Sequence, residues 1–345
     1  MKVILALGVT IAALFAVRAQ AADAETLKAE LGASPHKIVF ESYADSNWDL
    51  FVVNADGSGR KNLTNTSGVH ELYPQASPDG TKICFLADVG QGRETLRSVY
   101  YMNVDGSGRK LVAEKSRQPC WSPDSARIAY LPQEFERFNV TDYVSKGLAI
   151  YSLKAGKSTP HPNPKIHHLY TLNWSKNGKY FVSTVHGGMG YGHAILALEA
   201  DGEGVYDLKI PGCRPCLSAD ATRITWSSND HTIRIADLDL ESGVPTVANR
   251  RTVDHHDKLH LYHPDFSPDG KYIIYSIGPG GRVAANGPGT HTHVAEMVGV
   301  RGKWDVFLMR ADGEGQPLRL TSDENLSNKE GDWLRGPAPA VGGGR

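Results

Sequence analysis

Charge of one sign, cysteine and long apolar runs are all scarce in this chain, and each scarcity removes a class of protein. Lysine and arginine total 37 against 38 acidic residues, a formal net charge of −1, with the two signs interspersed. A nucleic-acid binder carries a basic excess or stripe, so that class is set aside. Only four cysteines occur, and Cys213-Arg214-Pro215-Cys216 lacks the following His of a haem attachment site. No second Cys-x-x-Cys supports zinc. No Gly-x-Ser-x-Gly elbow marks a hydrolase nucleophile. Beyond the first residues, no segment is apolar enough to span a bilayer.

Those first residues read as a secretory signal. Lys2 gives a positive start, Val3 to Val17 is apolar, and Ala19-Gln20-Ala21 is a small-x-small cleavage site. The apolar run is shorter than the roughly 20 residues a membrane anchor needs. Cleavage after Ala21 would leave a periplasmic or extracellular protein.

What is abundant is a repeated pair of turns. Ser77-Pro78-Asp79-Gly80 returns as Ser122-Pro123-Asp124-Ser125, Ser175-Lys176-Asn177-Gly178, Ser218-Ala219-Asp220-Ala221 and Ser267-Pro268-Asp269-Gly270. The copies begin 45, 53, 43 and 49 residues apart. A second turn recurs at Asp56-Gly57, Asp105-Gly106, Asp201-Gly202 and Asp312-Gly313. Short β-branched or aromatic runs lie between them, such as Lys82-Ile83-Cys84-Phe85-Leu86 and Lys271-Tyr272-Ile273-Ile274-Tyr275. A period of this length with four strands per unit is the signature of a β-propeller blade. The Asp-rich turns lack the alternating ligands and distal Glu of a calcium loop.

Five complete units start near His70, Arg117, His168, Cys213 and His260. The chain enters mid-unit at Lys37-Ile38-Val39-Phe40, and an unpartnered opening motif stands at Glu330-Gly331-Asp332-Trp333. The expected fold is all-β. It is a six-bladed propeller of four-stranded antiparallel blades, closed by a C-terminal strand joining the N-terminal blade, which removes exposed edges. Residues 1–21 form the signal, 22–35 a leader with a helical turn or two around Leu27 and Leu31, 36–336 the propeller and 337–345 a Pro/Gly tail. Cys120 and Cys216 occupy the same place in blades three and five, so another blade should separate them. Buried free thiols are expected, with one Cys213 disulfide as the alternative.

Pro74-Gln75-Ala76-Ser77-Pro78-Asp79-Gly80 with Lys82-Ile83, and the Asp56-Gly57…Leu63-Thr64 turns, resemble the TolB-type, WD-like propeller repeat over about residues 36 to 336. The resemblance implies the propeller scaffold. It does not imply one activity, because such scaffolds host many.

The Ser-Pro-Asp-Gly and Asp-Gly turns fall on one face of such a propeller. The insertions Gln133 to Lys146, Gly187 to Gly192 and Gly278 to Lys303 fall on the other. Of 14 histidines, only His36 lies outside that irregular face. A His-lined funnel there is the expected site. Glu71, Arg117, Arg214, His260 and His263 at inner-strand mouths are the candidate ligand-binding residues. His263 with His291 and His293 is a candidate set for a divalent metal, manganese or zinc. His186 and His193 could approach from across the channel.

The expected function is binding of a protein, peptide or glycan by an exported monomer. His263-Pro264 followed by Phe266-Ser267-Pro268-Asp269-Gly270 also resembles the inner-strand His-Pro of oligogalacturonate lyases, propellers that use manganese. That resemblance implies the alternative, a metal-dependent carbohydrate-active enzyme. A purely structural envelope protein would need no converging polar groups.

Overall fold

The computed structural model describes residues 23–280, 282–283, 293–294, 297–323 and 326–337. Six four-stranded antiparallel sheets are arranged as propeller blades. Blade two shows the unit: Val69–Ala76 innermost, then Lys82–Val89, Leu96–Asn103 and Lys110–Glu114. The inner strands of blades three to six are Ser116–Trp121, Leu169–Trp174, Cys213–Leu217 and Leu259–Phe266.

The repeated turns form because their side chains satisfy their own backbone. Asp79 Oδ1 accepts from the Ser77 hydroxyl at 2.6 Å and the Thr81 amide at 2.9 Å, while Ser77 Oγ accepts from the Lys82 amide at 2.9 Å. Gly80 completes the turn at φ 73°. A side chain there would strike the Arg335 carbonyl, 2.4 Å from an added Cβ. Asn177 replaces Asp in blade four without loss, since its Oδ1 still accepts from Ser175 at 2.7 Å and the Lys179 amide at 2.9 Å. In the second turn, Asp56, Asp105 and Asp312 each accept the amide two residues on. These carboxylates are engaged by the chain itself.

Ring closure occurs as the unpartnered motifs require. Ser327–Leu334 lies antiparallel to Lys37–Ala44, with Ile38 opposite Trp333 and Lys37 opposite Leu334, and becomes the inner strand of blade one. The apolar cores lie between blades; Ile38, Phe40, Ile274, Val306 and Trp333 join blade one to blade six. Residues 23–32 are helical. Leu27 and Leu31 are buried in that same seam, and Glu30 pairs with Arg310 at 2.6 Å. No helix among the described residues is long and apolar enough to cross a membrane. None of the four cysteines is in a disulfide. Residues 1–22 and the end of the tail from 338 lie outside the described residues.

Candidate functional site

Every inner strand breaks its register at the same point. The shift falls between Leu72 and Gln75, Arg117 and Cys120, Tyr170 and Asn173, Cys213 and Cys216, and Tyr262 and Asp265. In blade one the break lies across Glu330 and Gly331. One residue at each break is left-handed: Tyr73 (φ 50°), Gln118 (46°), Thr171 (55°), Arg214 (54°), His263 (57°) and Glu330 (52°). A non-glycine residue at positive φ is uncommon. Six in equivalent places define a ring about the channel, held by contacts from neighbouring blades. Glu41 accepts the Tyr73 amide at 2.9 Å, Gln118 the Thr171 amide at 2.8 Å, and Thr184 Oγ1 the Arg214 amide at 3.0 Å.

On the irregular side of this ring lies a buried ionic network. Arg214 pairs with Asp142 at 3.1 Å, His263 Nδ1 with Glu330 at 2.8 Å, and Lys329 faces Glu41 at 4.0 Å. Arg214 also lies between the rings of Tyr170 and Tyr262, 5.4 and 5.5 Å from their centroids. Burial pushes Glu41 up to about 8 against the pull of Lys329, and Glu330 to about 8 against Arg214 and Lys329. Described residues of two insertions reach over this mouth. Arg117 donates to the carbonyls of Asn139, Thr141 and Asp142, and Lys329 to that of Met297.

The sequence-predicted residues are therefore mostly covered. Glu71, Arg117, Arg214 and His263 are buried, the first bonded to Arg109 and the last to Glu330. His263 sits in mid-strand rather than at a strand end. His260 is half-buried against His231, with ring centroids 5.0 Å apart. His291 and the side chain of His293 lie outside the described residues. His186 and His193 pair across one hairpin, and Tyr143 from the blade-three insertion stacks on His186 at 4.2 Å. His161 departs from the expected face: it is buried, its Nε2 bonded to the Glu199 carbonyl beside the Asp201-Gly202 turn. Among the described residues, no group of three or more His, Cys, Asp or Glu is placed to hold a metal ion.

Among the described residues, an open concavity lies on the opposite, tight-turn face, away from the residues expected from the sequence. A funnel of about 620 Å³ opens there, with walls from all six blades. Its floor takes one side chain per blade, each two residues past the left-handed position: Gln75, Cys120, Asn173, Cys216, Asp265 and Asp332. The carboxyls of Asp265 and Asp332 hydrogen-bond each other. Cys216 Sγ donates to Asp265 Oδ1 at 2.6 Å, and Asp332 accepts the Ala76 amide at 2.7 Å. Burial raises both carboxyls, and for Asp332 the neighbouring Asp265 adds to it. The rim carries Asp79, Asp124, Asp220 and Asp269 with Lys176 and Arg335. The sequence signal was available: five of these floor residues stand two before the turn serine, and all are polar or thiol-bearing.

No family model matches the chain. An uncharacterized peptidase, YuxL, of Bacillus subtilis (strain 168) is 25% identical over 222 residues, covering 61% of this chain and 30% of that protein. The chain thus spans under a third of that curated relative. TolB from Acinetobacter baumannii superposes with a TM-score of 0.61 at 18% identity, over 86% of this chain and 66% of that one. A chain of a nidogen/laminin complex gives a TM-score of 0.58 at 8% identity, over 87% of this chain and 98% of its own. At such identities the likeness concerns fold. The fold is that of a TolB-like, six-bladed β-propeller.

Proposed function

We propose that this is an exported binding propeller that takes an extended polypeptide at the funnel on its tight-turn face. The observation that carries the reading is the funnel itself, a concavity on the channel axis to which every blade contributes a polar floor group. Described residues of two insertions reach over the other mouth, so the expected binding face moves to the opposite end of the channel. A polypeptide suits the lining better than a glycan. Arg127 and Arg223 already lie over the rings of Trp174 and Phe266, 4.7 and 5.1 Å from the centroids, which reduces the stacking platform left for a sugar. Residues 1–21 supply the export signal. The name peptidase belongs to a relative of which this chain spans under a third, and no activity is carried over from it.

Panning a random peptide library against the mature protein tests the proposal. Selected peptides should lose binding to Ala219→Trp, which fills the funnel mouth, and keep it with His186→Ala on the other face. Selection of glycans alone on an array, or binding indifferent to Ala219→Trp, would overturn it.

A further inference from the structure

Two half-buried acids meet on the floor of the funnel, where Asp265 Oδ2 and Asp332 Oδ1 both accept the Trp333 amide, at 3.3 and 2.6 Å, and acids in hydrogen-bond contact hold a proton between them. Asp265 and Asp332 share that hydrogen bond. The Cys216 thiol donates to Asp265 Oδ1 at 2.6 Å, and burial beside Asp265 holds its own proton on. The floor thus stores proton-held negative charge at the bottom of an open cavity. A cation arriving there would find carboxylate oxygens once the shared proton leaves. The groups facing the pair on the floor are the thiols of Cys216 and Cys120 and the uncharged Gln75 and Asn173. Above them, the aspartates at 79, 124, 220 and 269 outnumber Lys176, Arg223 and Arg335. Arg223 is committed to the Gly270 carbonyl at 2.8 Å.

A separate observation points to an acceptor on the same ligand. Trp121, Trp174 and Trp333 occupy equivalent inner-strand positions, and all three line the funnel. Trp121 gives its indole N–H to the Gln75 carbonyl at 2.9 Å, and Trp174 to that of Gly178 at 3.1 Å. Trp333 is 4% exposed, and its indole N–H has no partner. A buried donor left unmade is costly, and a peptide carbonyl entering the funnel would satisfy it.

Resting on the polypeptide reading above, we propose that the funnel floor captures a lysine or arginine side chain of the bound peptide, displacing the proton shared by Asp265 and Asp332. The carboxyl O–H bond breaks, the proton passes to water and buffer, and ammonium or guanidinium N–H groups donate to the freed carboxylates. The peptide carbonyl beside that residue accepts from Trp333.

The probe is acetyl-Gly-Ser-Gly-Ser-Lys-Gly-Ser-Gly-Ser-amide, titrated calorimetrically into the mature protein in two buffers of different ionisation enthalpy. Saturable binding with release of close to one proton is expected at pH 6.5. Affinity should rise toward pH 8 as the shared proton becomes easier to remove. The acetyl-lysine counterpart should bind at least tenfold more weakly. Asp265→Asn should lose both proton release and about tenfold in affinity. Cys216→Ala, which leaves both acids intact, guards against a folding failure of the first variant and should keep the release. Trp333→Phe should weaken binding without changing the proton release. No binding at millimolar probe, equal binding of the acetylated probe, or binding without proton release would overturn the inference. If panned peptides bind and are blocked by Ala219→Trp while showing no need for a cation, only this inference fails. If Ala219→Trp blocks nothing, the polypeptide reading fails with it.

Discussion

His263 Nδ1 lies 2.8 Å from Glu330 Oε2, and the two residues occupy the same left-handed position in the last and first blades of the ring. The pair ties the closing strand to the blade beside it. Lys329 toward Glu41 and Asn328 to the Ser42 hydroxyl at 2.7 Å hold the strand within its own blade, and Asp332, accepting the Ala76 amide, ties it to blade two.

Truncation after Ser322 removes this strand. Trp333 and Leu334 are each buried, and burial of such side chains contributes about 1.5–3 kcal/mol apiece. The melting temperature should fall by about 10 °C or more, given about 2–4 °C per kcal/mol for a large domain. An unchanged midpoint in calorimetry would show that the strand does not close the ring.

Arg214→Met should cost about 3–5 kcal/mol, because the Asp142 carboxyl would be left buried without its ion-pair partner. Adding Asp142→Asn should recover part of that loss. Urea unfolding of the single and double variants measures both, and equal stability of the two would exclude the coupling.

Stability should decline as pH rises from about 5 to 8. Glu41 and Glu330 are pushed up from 4.5 to about 8, chiefly by burial. Between those values the folded protein holds protons that the unfolded chain has lost, so raising the pH favours unfolding. Asp332, also raised, acts in the same sense. Lys329, lowered by its burial, acts in the opposite sense only where it loses its own proton. Glu41→Gln should flatten the slope of melting temperature against pH. A midpoint that climbs across this range in the unmodified protein contradicts the assignment.

On the proposal that the chain is exported, the mature protein should begin at Ala22. Intact-mass measurement of material recovered outside the cytoplasm checks this, and retention of Met1 to Ala21 would refute cleavage.

The repeat alone determined the scaffold. A turn whose Ser and Asp satisfy their own backbone is a local device, legible wherever Ser77-Pro78-Asp79-Gly80 recurs, and its spacing counts the blades. The missing first strand before Lys37 and the spare motif at Glu330 to Trp333 likewise dictated closure, since an unpaired sheet edge is costly. The site was less legible. Histidine content drew attention to the irregular face, yet whether a loop exposes or covers a channel depends on where its tip lands. Only the folded chain brings Asn139, Thr141 and Asp142 onto Arg117 and Arg214. The partnership of Asp265 with Asp332 was equally out of reach, because 67 residues separate them in the chain. Their contact depends on the ring closing, which brings the inner strands of the first and last blades side by side. Local hydrogen bonding can be read along a sequence. The burial and pairing of charges around a channel are set by blades that meet only in three dimensions.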